Sequence, residues 1–447
     1  MTKKILSSTG YLAATSLIEK IGAFIIIPIL TVALTLNDYG SLMLAVSYVG
    51  VIMLFVYNGL HSALFRWYSM WQESFDKKLY EKYIFYIVSI IGFSVILFLI
   101  FIHTQIYNLD EILKIDFWLL MTTLIASMML VSFKLRSTIW IIENKAYLNV
   151  IFMFFKTILL VGGVYLFINI YPYAITRPII EIIVVGILSM YLIYSYVFKY
   201  PSHNSAEFIK IKPVLKESLV YGWGLQVSQI AFWIITSSDR IMLANLVNNE
   251  FVAYYSILMI GVTAMFLVVA FNNSFSAYYN KMISENISMK EINQYIFTYL
   301  LYGFLAVLVY KLFLFYFSDN IILILSTKEY LVVSKYMYLT SDILLFYFAY
   351  LLFSRYLHAY KMVKAVIFIT LFSAILNVGL NYILIQEYGI LGALVGSILA
   401  YLSMGIVSFI LMYKKIELPY MKNLLVLFIG IVAVNFGIDI LLYKGGL

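Results

Sequence analysis

The sequence predicts an all-α polytopic membrane protein. It reads as two six-helix lobes, related by a pseudo-two-fold repeat around a central cavity, followed by one further helix. Three observations predict this. Apolar residues make up 64% of the chain and charged residues only 12%, against about 45–50% and about 25% in soluble domains. Thirteen stretches are long and apolar enough to span a bilayer, each needing about 20 such residues. The pattern of the opening stretches also returns about half a chain later.

The elements follow in order. Gly10–Leu34 is apolar, Leu36-Asn37-Asp38-Tyr39-Gly40 turns the chain, and a second apolar run ends at Ser62-Ala63-Leu64-Phe65-Arg66-Trp67-Tyr68. In the second half, an apolar helix from Val220 leads into Ser238-Asp239-Arg240. Asn248-Asn249-Glu250 then makes the turn, and a helix from Phe251 ends at Ser274-Phe275-Ser276-Ala277-Tyr278-Tyr279. The spans predicted are 9–34, 40–65, 83–104, 115–134, 147–170, 177–198, 217–245, 250–275, 294–317, 333–356, 362–385, 389–413 and 423–443. They divide into an N-lobe, 1–198, a cytoplasmic linker, 199–216, a C-lobe, 217–413, and a C-terminal extra helix, 414–447. The linker is polar, carries Pro201 and Pro213 and is rich in lysine.

Charge supports the same topology. Of 30 Lys and Arg, counting those at span ends with the adjoining loop, 21 fall in one alternate set of loops, five in the other and four deep inside spans. By the positive-inside rule this puts the N-terminus in the cytoplasm. It also explains the net charge of +8 without a nucleic-acid partner. The absence of cysteine excludes disulfides and thiolate metal sites. The first apolar stretch is too long for a cleaved signal peptide, so it reads as a retained helix. No GxxxxGK[ST] motif occurs, which excludes a P-loop ATPase. Two similar membrane halves make a transporter architecture. An enzyme such as a polysaccharide polymerase would be expected to carry a large external loop, and no external loop here exceeds about 20 residues.

Several stretches resemble one family. Asp239-Arg240 with Val252-Ala253-Tyr254-Tyr255-Ser256 resembles helices 7 and 8 of polysaccharide transporters. These belong to the multidrug/oligosaccharidyl-lipid/polysaccharide export superfamily. Lys20-Ile21-Gly22 with Pro28 and Asp38-Tyr39-Gly40, Asn144-Lys145, and Asn377-Val378-Gly379-Leu380-Asn381 followed by Tyr388-Gly389-Ile390-Leu391-Gly392-Ala393 agree with it. The resemblance covers about residues 5–413. It implies a Wzx-like flippase that moves undecaprenyl-pyrophosphate-linked oligosaccharide across the bacterial inner membrane by alternating access, for O-antigen or capsule synthesis. It also implies H+ or Na+ coupling, no cofactor, and polysaccharide polymerase and chain-length machinery as partners. The thirteenth helix departs from the twelve-helix form. The nearer rival is a cation-coupled multidrug antiporter of the same superfamily, which would favour an acidic, aromatic-lined cavity.

Charges inside spans nominate the site. Glu19 and Lys20 lie roughly 15 Å into helix 1 by the rise per residue, and Lys156 lies similarly deep in helix 5. Each costs about 2.5–3.5 kcal/mol to insert. One reading places Lys20 and Lys156 on a cavity that attracts pyrophosphate, with Glu19 in ion coupling. The other pairs Glu19 with Lys156 between helices 1 and 5. Asp239 and Arg240 lie about 36 Å beyond Lys216, which suggests an outer gate or a structural salt bridge. Lys311 and Asp342 read as coupling or gating residues, or as mutual partners. Asn377 and Asn381 read as cavity residues contacting sugar, or as interhelical hydrogen bonders. Arg177 and Glu181 read as an ordinary i, i+4 surface pair.

Overall fold

A computed structural model describes residues 2–57, 59–68, 74–199, 205–285, 287–415 and 421–445. Among them there is no strand, and thirteen segments are long and apolar enough to cross a membrane. Every predicted span overlaps one of these. The chain folds as two compact units, Met1–Ile230 and Ala231–Leu447.

The first unit contains α1 (Thr2–Ala33), α2 (Leu36–Tyr57), α3 (Leu60–Trp67), α4 (Ser74–Gln105), α5 (Leu109–Leu113), α6 (Phe117–Ile142), α7 (Tyr147–Ile168) and α8 (Thr176–Tyr194). It also holds the first part of α9 (Ser205–Leu246). α1 packs on α7. α6 is the hub and takes α2, α3, α4 and α8 around it. The polar turn before α6 is built locally. Asp116 accepts from Trp118 N at 2.7 Å and Asp110 accepts from Phe117 N at 2.7 Å, so the first amides of α6 are met by side chains.

The second unit contains the rest of α9 and α10 (Asn249–Leu258), which continues through a 3-10 segment, Met259–Ala264, into α11 (Met265–Ser284). Then come α12 (Met289–Leu325), a 3-10 stretch at Lys328–Leu339, α13 (Thr340–Ala359), α14 (Val363–Tyr388), α15 (Ile390–Lys415) and α16 (Met421–Gly445). α13 is the hub here, packing on α11, α12, α14 and α15, while α14 packs on α15 and α16 on α12. The pairings of the first unit recur. α6 with α8 corresponds to α13 with α15, α7 with α8 to α14 with α15, and α2 with α6 to α11 with α13. This is the predicted repeat, expressed as packing.

Two local departures from the sequence reading have clear causes. The predicted span 40–65 is broken at Gly59, which has φ +63° and caps α3. A Cβ there would sit 2.8 Å from the Gly222 Cα, so a left-handed turn and a close backbone approach both require glycine. The predicted linker is also largely helix. Residues 205–216 form the first turns of α9, residues 200–204 lie outside the described residues, and the division between units falls at Ile230. Pro213 lies inside that helix, beyond its first turn, and leaves one backbone carbonyl there without its intrahelical donor. In the C-terminal segment, 416–420 and 446–447 lie outside the described residues.

Candidate functional site

Among the buried polar clusters of the described residues, one in the first unit borders a cavity and two in the second gather residues that the sequence nominated. In the first unit, α7 and α8 bring Lys156 Nζ to 3.2 Å from Glu181 Oε1, and Arg177 lies 3.5 Å from Glu181 Oε2. The side chains of Lys156 and Glu181 are each 12% exposed. Lys134 of α6 lies within electrostatic reach of Glu19, Lys156 and Glu181. Three cations therefore face two carboxylates, leaving one positive charge over.

Of these groups Lys134, Arg177 and Glu181 line a cavity of about 350 Å³, together with Tyr57, Thr123, Ser127 and apolar residues of α2, while Lys156 reaches it only through Glu181. Lys134 is exposed to it, and its ammonium lies 5.0 Å from the centre of the Tyr57 ring. The Tyr57 hydroxyl is buried and has no hydrogen-bond partner among the described residues. The chemistry on offer is anion binding: an excess ammonium or guanidinium charge, hydroxyl groups, and an apolar wall that limits screening.

The structure corrects several readings here. Lys156 pairs with Glu181, not Glu19, because α7 and α8 are adjacent and Glu181 projects toward α7. Arg177–Glu181 is not a surface pair, since it is shared with Lys156 and borders the cavity. Glu19 and Lys20 are both exposed on α1, and Lys20 is not brought to the ion pairs at Glu181. α1 packs closely on α7 at Gly22, where a Cβ would sit 2.5 Å from Thr157 Cγ2 and oblige that side chain to shift. Lys134, Thr123, Ser127 and Tyr57 were missed by the sequence reading. Lys134 looked like a loop charge because its helix runs on to Ile142 rather than ending at 134.

In the second unit, Asp239 of α9 is fully buried. Its carboxylate accepts from Tyr255 Oη at 2.5 Å, from Ser397 Oγ at 2.7 Å and from Asn381 Nδ2. Asn377 Oδ1 accepts from Ser238 Oγ at 3.3 Å and from Asn381 Nδ2 at 3.3 Å. The Asn381 Oδ1 is buried without a partner. Arg240 points elsewhere: its Nε donates to Ser256 Oγ at 3.2 Å and its guanidinium lies over the Tyr255 ring. Adjacent helical residues diverge by about 100°, so Asp239 and Arg240 take different hydrogen-bond partners and are not paired with each other. Asn377 and Asn381 are wholly buried and bond to Asp239, Ser238 and Ser397, so they do not line a sugar-binding surface. Neither Tyr255 nor Ser397 is marked in the sequence as a partner of Asp239, because hydroxyls are common in such helices and carry no spacing signal.

In the third cluster Lys311 and Asp342 are mutual partners, at 2.7 Å. Asn435 and Asp439 of α16 join them.

Comparison with known proteins bears on this geometry. A family described as "Polysaccharide biosynthesis protein" matches residues 5–274. No curated protein matches the chain by sequence. Among solved structures, an inward-facing multidrug resistance MATE family transporter of the MOP superfamily aligns with TM-score 0.66 and 14% identity. The alignment covers 93% of this chain and 99% of that one. The lipid II flippase MurJ, in an inward closed conformation, aligns with TM-score 0.65 and 17% identity over 96% and 98%. A Vibrio cholerae MATE transporter aligns with TM-score 0.62 and 13% identity over 94% and 98%. At such identities the structures establish a shared fold, that of the MOP-superfamily transporters. With thirteen apolar helices on that fold and a family match over more than half its length, the chain is a multi-pass membrane protein belonging to the polysaccharide biosynthesis protein family.

Proposed function

We propose that this protein is a flippase that moves undecaprenyl-pyrophosphate-linked oligosaccharide from the cytoplasmic to the outer leaflet of the bacterial inner membrane, with its N-terminus in the cytoplasm. The product feeds synthesis of a surface polysaccharide such as O-antigen or capsule. The observation that carries the reading is the positively charged cavity of the first unit, in a chain of the polysaccharide biosynthesis family. A pyrophosphate cannot enter hydrocarbon unaided, because its charge would be neither solvated nor paired. Lys134 and Arg177 offer it charge-assisted hydrogen bonds, Lys156 adds positive charge behind Glu181, and Glu181 holds Arg177 and Lys156 in place while the cavity is empty of substrate. The lipid tail stays in the bilayer, and the chemistry is transport without bond cleavage.

Coupling to an ion gradient is assigned to Asp239. A buried carboxylate beside the unpartnered Asn381 Oδ1 and the hydroxyl oxygens of Ser397 and Tyr255 suits a proton or a small monovalent cation. The test is lipid analysis of cells carrying a Lys134→Ala, Lys156→Ala double variant. Accumulation of a lipid-linked oligosaccharide on the cytoplasmic side, with normal levels of protein in the membrane, is the expected outcome. A second reading, a cation-coupled multidrug antiporter, is favoured by the Tyr57 ring and the Glu181 carboxylate beside it. It would take over if those cells accumulated no lipid-linked sugar and became sensitive to cationic dyes.

A further inference from the structure

The cluster that joins α16 to α12 and α13 has an unbalanced charge. Lys311, wholly buried, directs its ammonium at three oxygens: Asp342 Oδ1 at 2.7 Å, Asn435 Oδ1 at 3.0 Å, and Asp439 Oδ1. Its three protons are all used. Asn435 Nδ2 donates to Asp342 Oδ1 at 3.0 Å and, at 3.5 Å, to Asp439 Oδ2. One oxygen is left out: Asp342 Oδ2 is buried and has no hydrogen-bond partner among the described residues, in a residue 1% exposed. Two carboxylates thus share one ammonium. With both ionised the cluster carries a net negative charge inside an apolar unit, where an uncompensated charge is far costlier than an unpartnered neutral oxygen.

The other groups around it do not supply the missing positive charge. From the 3-10 stretch at Lys328–Leu339, Tyr338 lies within electrostatic reach of both carboxylates and of Tyr443 on α16, and phenols are neutral. α12 contributes Lys311, α13 contributes Asp342, and α16 contributes Asn435 and Asp439. A metal cation fits poorly, because it needs several convergent oxygens and those here already face an ammonium that would repel it. A proton needs one free oxygen.

We propose that Asp342, Lys311 and Asp439 form a proton-binding site, separate from Asp239, in which the carboxylate pair holds one proton, placed on Asp342 Oδ2. Uptake adds a proton from water to that oxygen, and release returns it to water. Asp439, whose side chain is 12% exposed, is the member through which water reaches the pair. It lies near the end of α16, so the site reads the pH on that side of the membrane. The inference does not rest on the flippase reading.

Infrared spectroscopy of the purified full-length protein tests it, through the carbonyl band of protonated carboxyls and its shift in D2O. Asp342→Asn is expected to lose one carboxyl's share of that band. Asp439→Asn is expected to lose the same share, although it leaves Asp342 in place, because one carboxylate then faces one ammonium. Lys311→Met is expected to gain one share, since both acids then lack a cation. Size-exclusion elution identifies any variant that fails to fold, and the remaining variants then decide. A band that persists in Asp439→Asn would show a neutral acid unrelated to the pair and overturn the proposal. So would loss of the wild-type band on adding Na+ at constant pH, which would mark a metal-cation site.

Discussion

Glu181 has two cations and Asp239 has three hydrogen-bond donors, and the two carboxylates should respond differently to substitution. Lys156→Ala leaves Glu181 its bond to Arg177, so the fold should survive. The ammonium lost from beside the cavity frees Glu181 to draw Arg177 away from a pyrophosphate, and one charge-assisted hydrogen bond lost in this way, worth about 1.5–3 kcal/mol, should lower flipping by about 10- to 100-fold, read as lipid-linked oligosaccharide turned over in vesicles. Asp239→Ala strands Tyr255, Ser397 and Asn381. Each unmet buried donor costs about 1–3 kcal/mol, so thermal unfolding in detergent should show severe loss of stability. Asp239→Asn should unfold near the wild-type temperature and lose only gradient dependence.

Glu143, just beyond the membrane span of α6, supplies a pH prediction. Burial raises its carboxyl, but hydrogen bonds from Lys145 and Tyr68 and the charges of Arg136 and Lys145 outweigh that and hold it below its ordinary value of 4.5. A depressed folded-state pKa contributes stability that is present above the unfolded value and is lost as pH falls through the folded one. Glu143→Gln should therefore flatten the acid side of the stability profile below about pH 4.5 and leave the neutral region unchanged in slope, as followed by denaturation at stepped pH.

At the scale of the element, the break between α2 and α3 is the point most sensitive to a single atom. Gly59→Ala must place a Cβ at positive φ, costing about 1–2 kcal/mol, and press it onto the backbone at Gly222. A lowered melting temperature is expected, without rescue by substitutions elsewhere in α3. A milder effect is expected at the start of α6. Asp116→Ala removes an N-cap worth about 0.5–2 kcal/mol, in a turn outside the membrane. If Asp116→Asn, which keeps the acceptor, destabilised equally, the capping account would be wrong and a charge effect would replace it.

For the whole molecule, the distribution of Lys and Arg makes a topological prediction that the absence of cysteine allows to be read cleanly. Single cysteines at exposed Lys78, in the first turns of α4, and Tyr171, between α7 and α8, lie at the ends of spans that the loop charges put on opposite sides. In intact cells a membrane-impermeant maleimide should label Tyr171→Cys and spare Lys78→Cys, and permeabilised cells should label both. The reverse pattern would invert the orientation and, with it, the direction assigned to transport.

What the sequence determined is the part written in one dimension. Thirteen apolar runs, alternating loop charge and the return of a pattern after half the chain are sums along the chain. Burial of apolar side chains makes such sums sufficient to specify spans, class and repeat. Intramembrane cost likewise marked Lys156, Asp239, Lys311 and Asp342 as residues with a role. It did not name their partners. Glu181 was passed over as half of a local pair, and Lys134 as a loop residue. Asp439, a charge inside the span 423–443, carried the same mark and was passed over, Tyr255 entered only as part of a resemblance, and Ser397 and Asn435 carried no signal, because which oxygen meets which charge depends on how helices distant in sequence turn their faces to one another. Only tertiary packing decided that Lys156 reaches α8 rather than α1, that Asn377 and Asn381 face inward to a carboxylate, and that α16 completes an ion cluster begun on α12 and α13. The physical reason is that transfer of a side chain into an apolar phase depends on the residue alone, whereas a buried charge or hydrogen bond is a property of a pair.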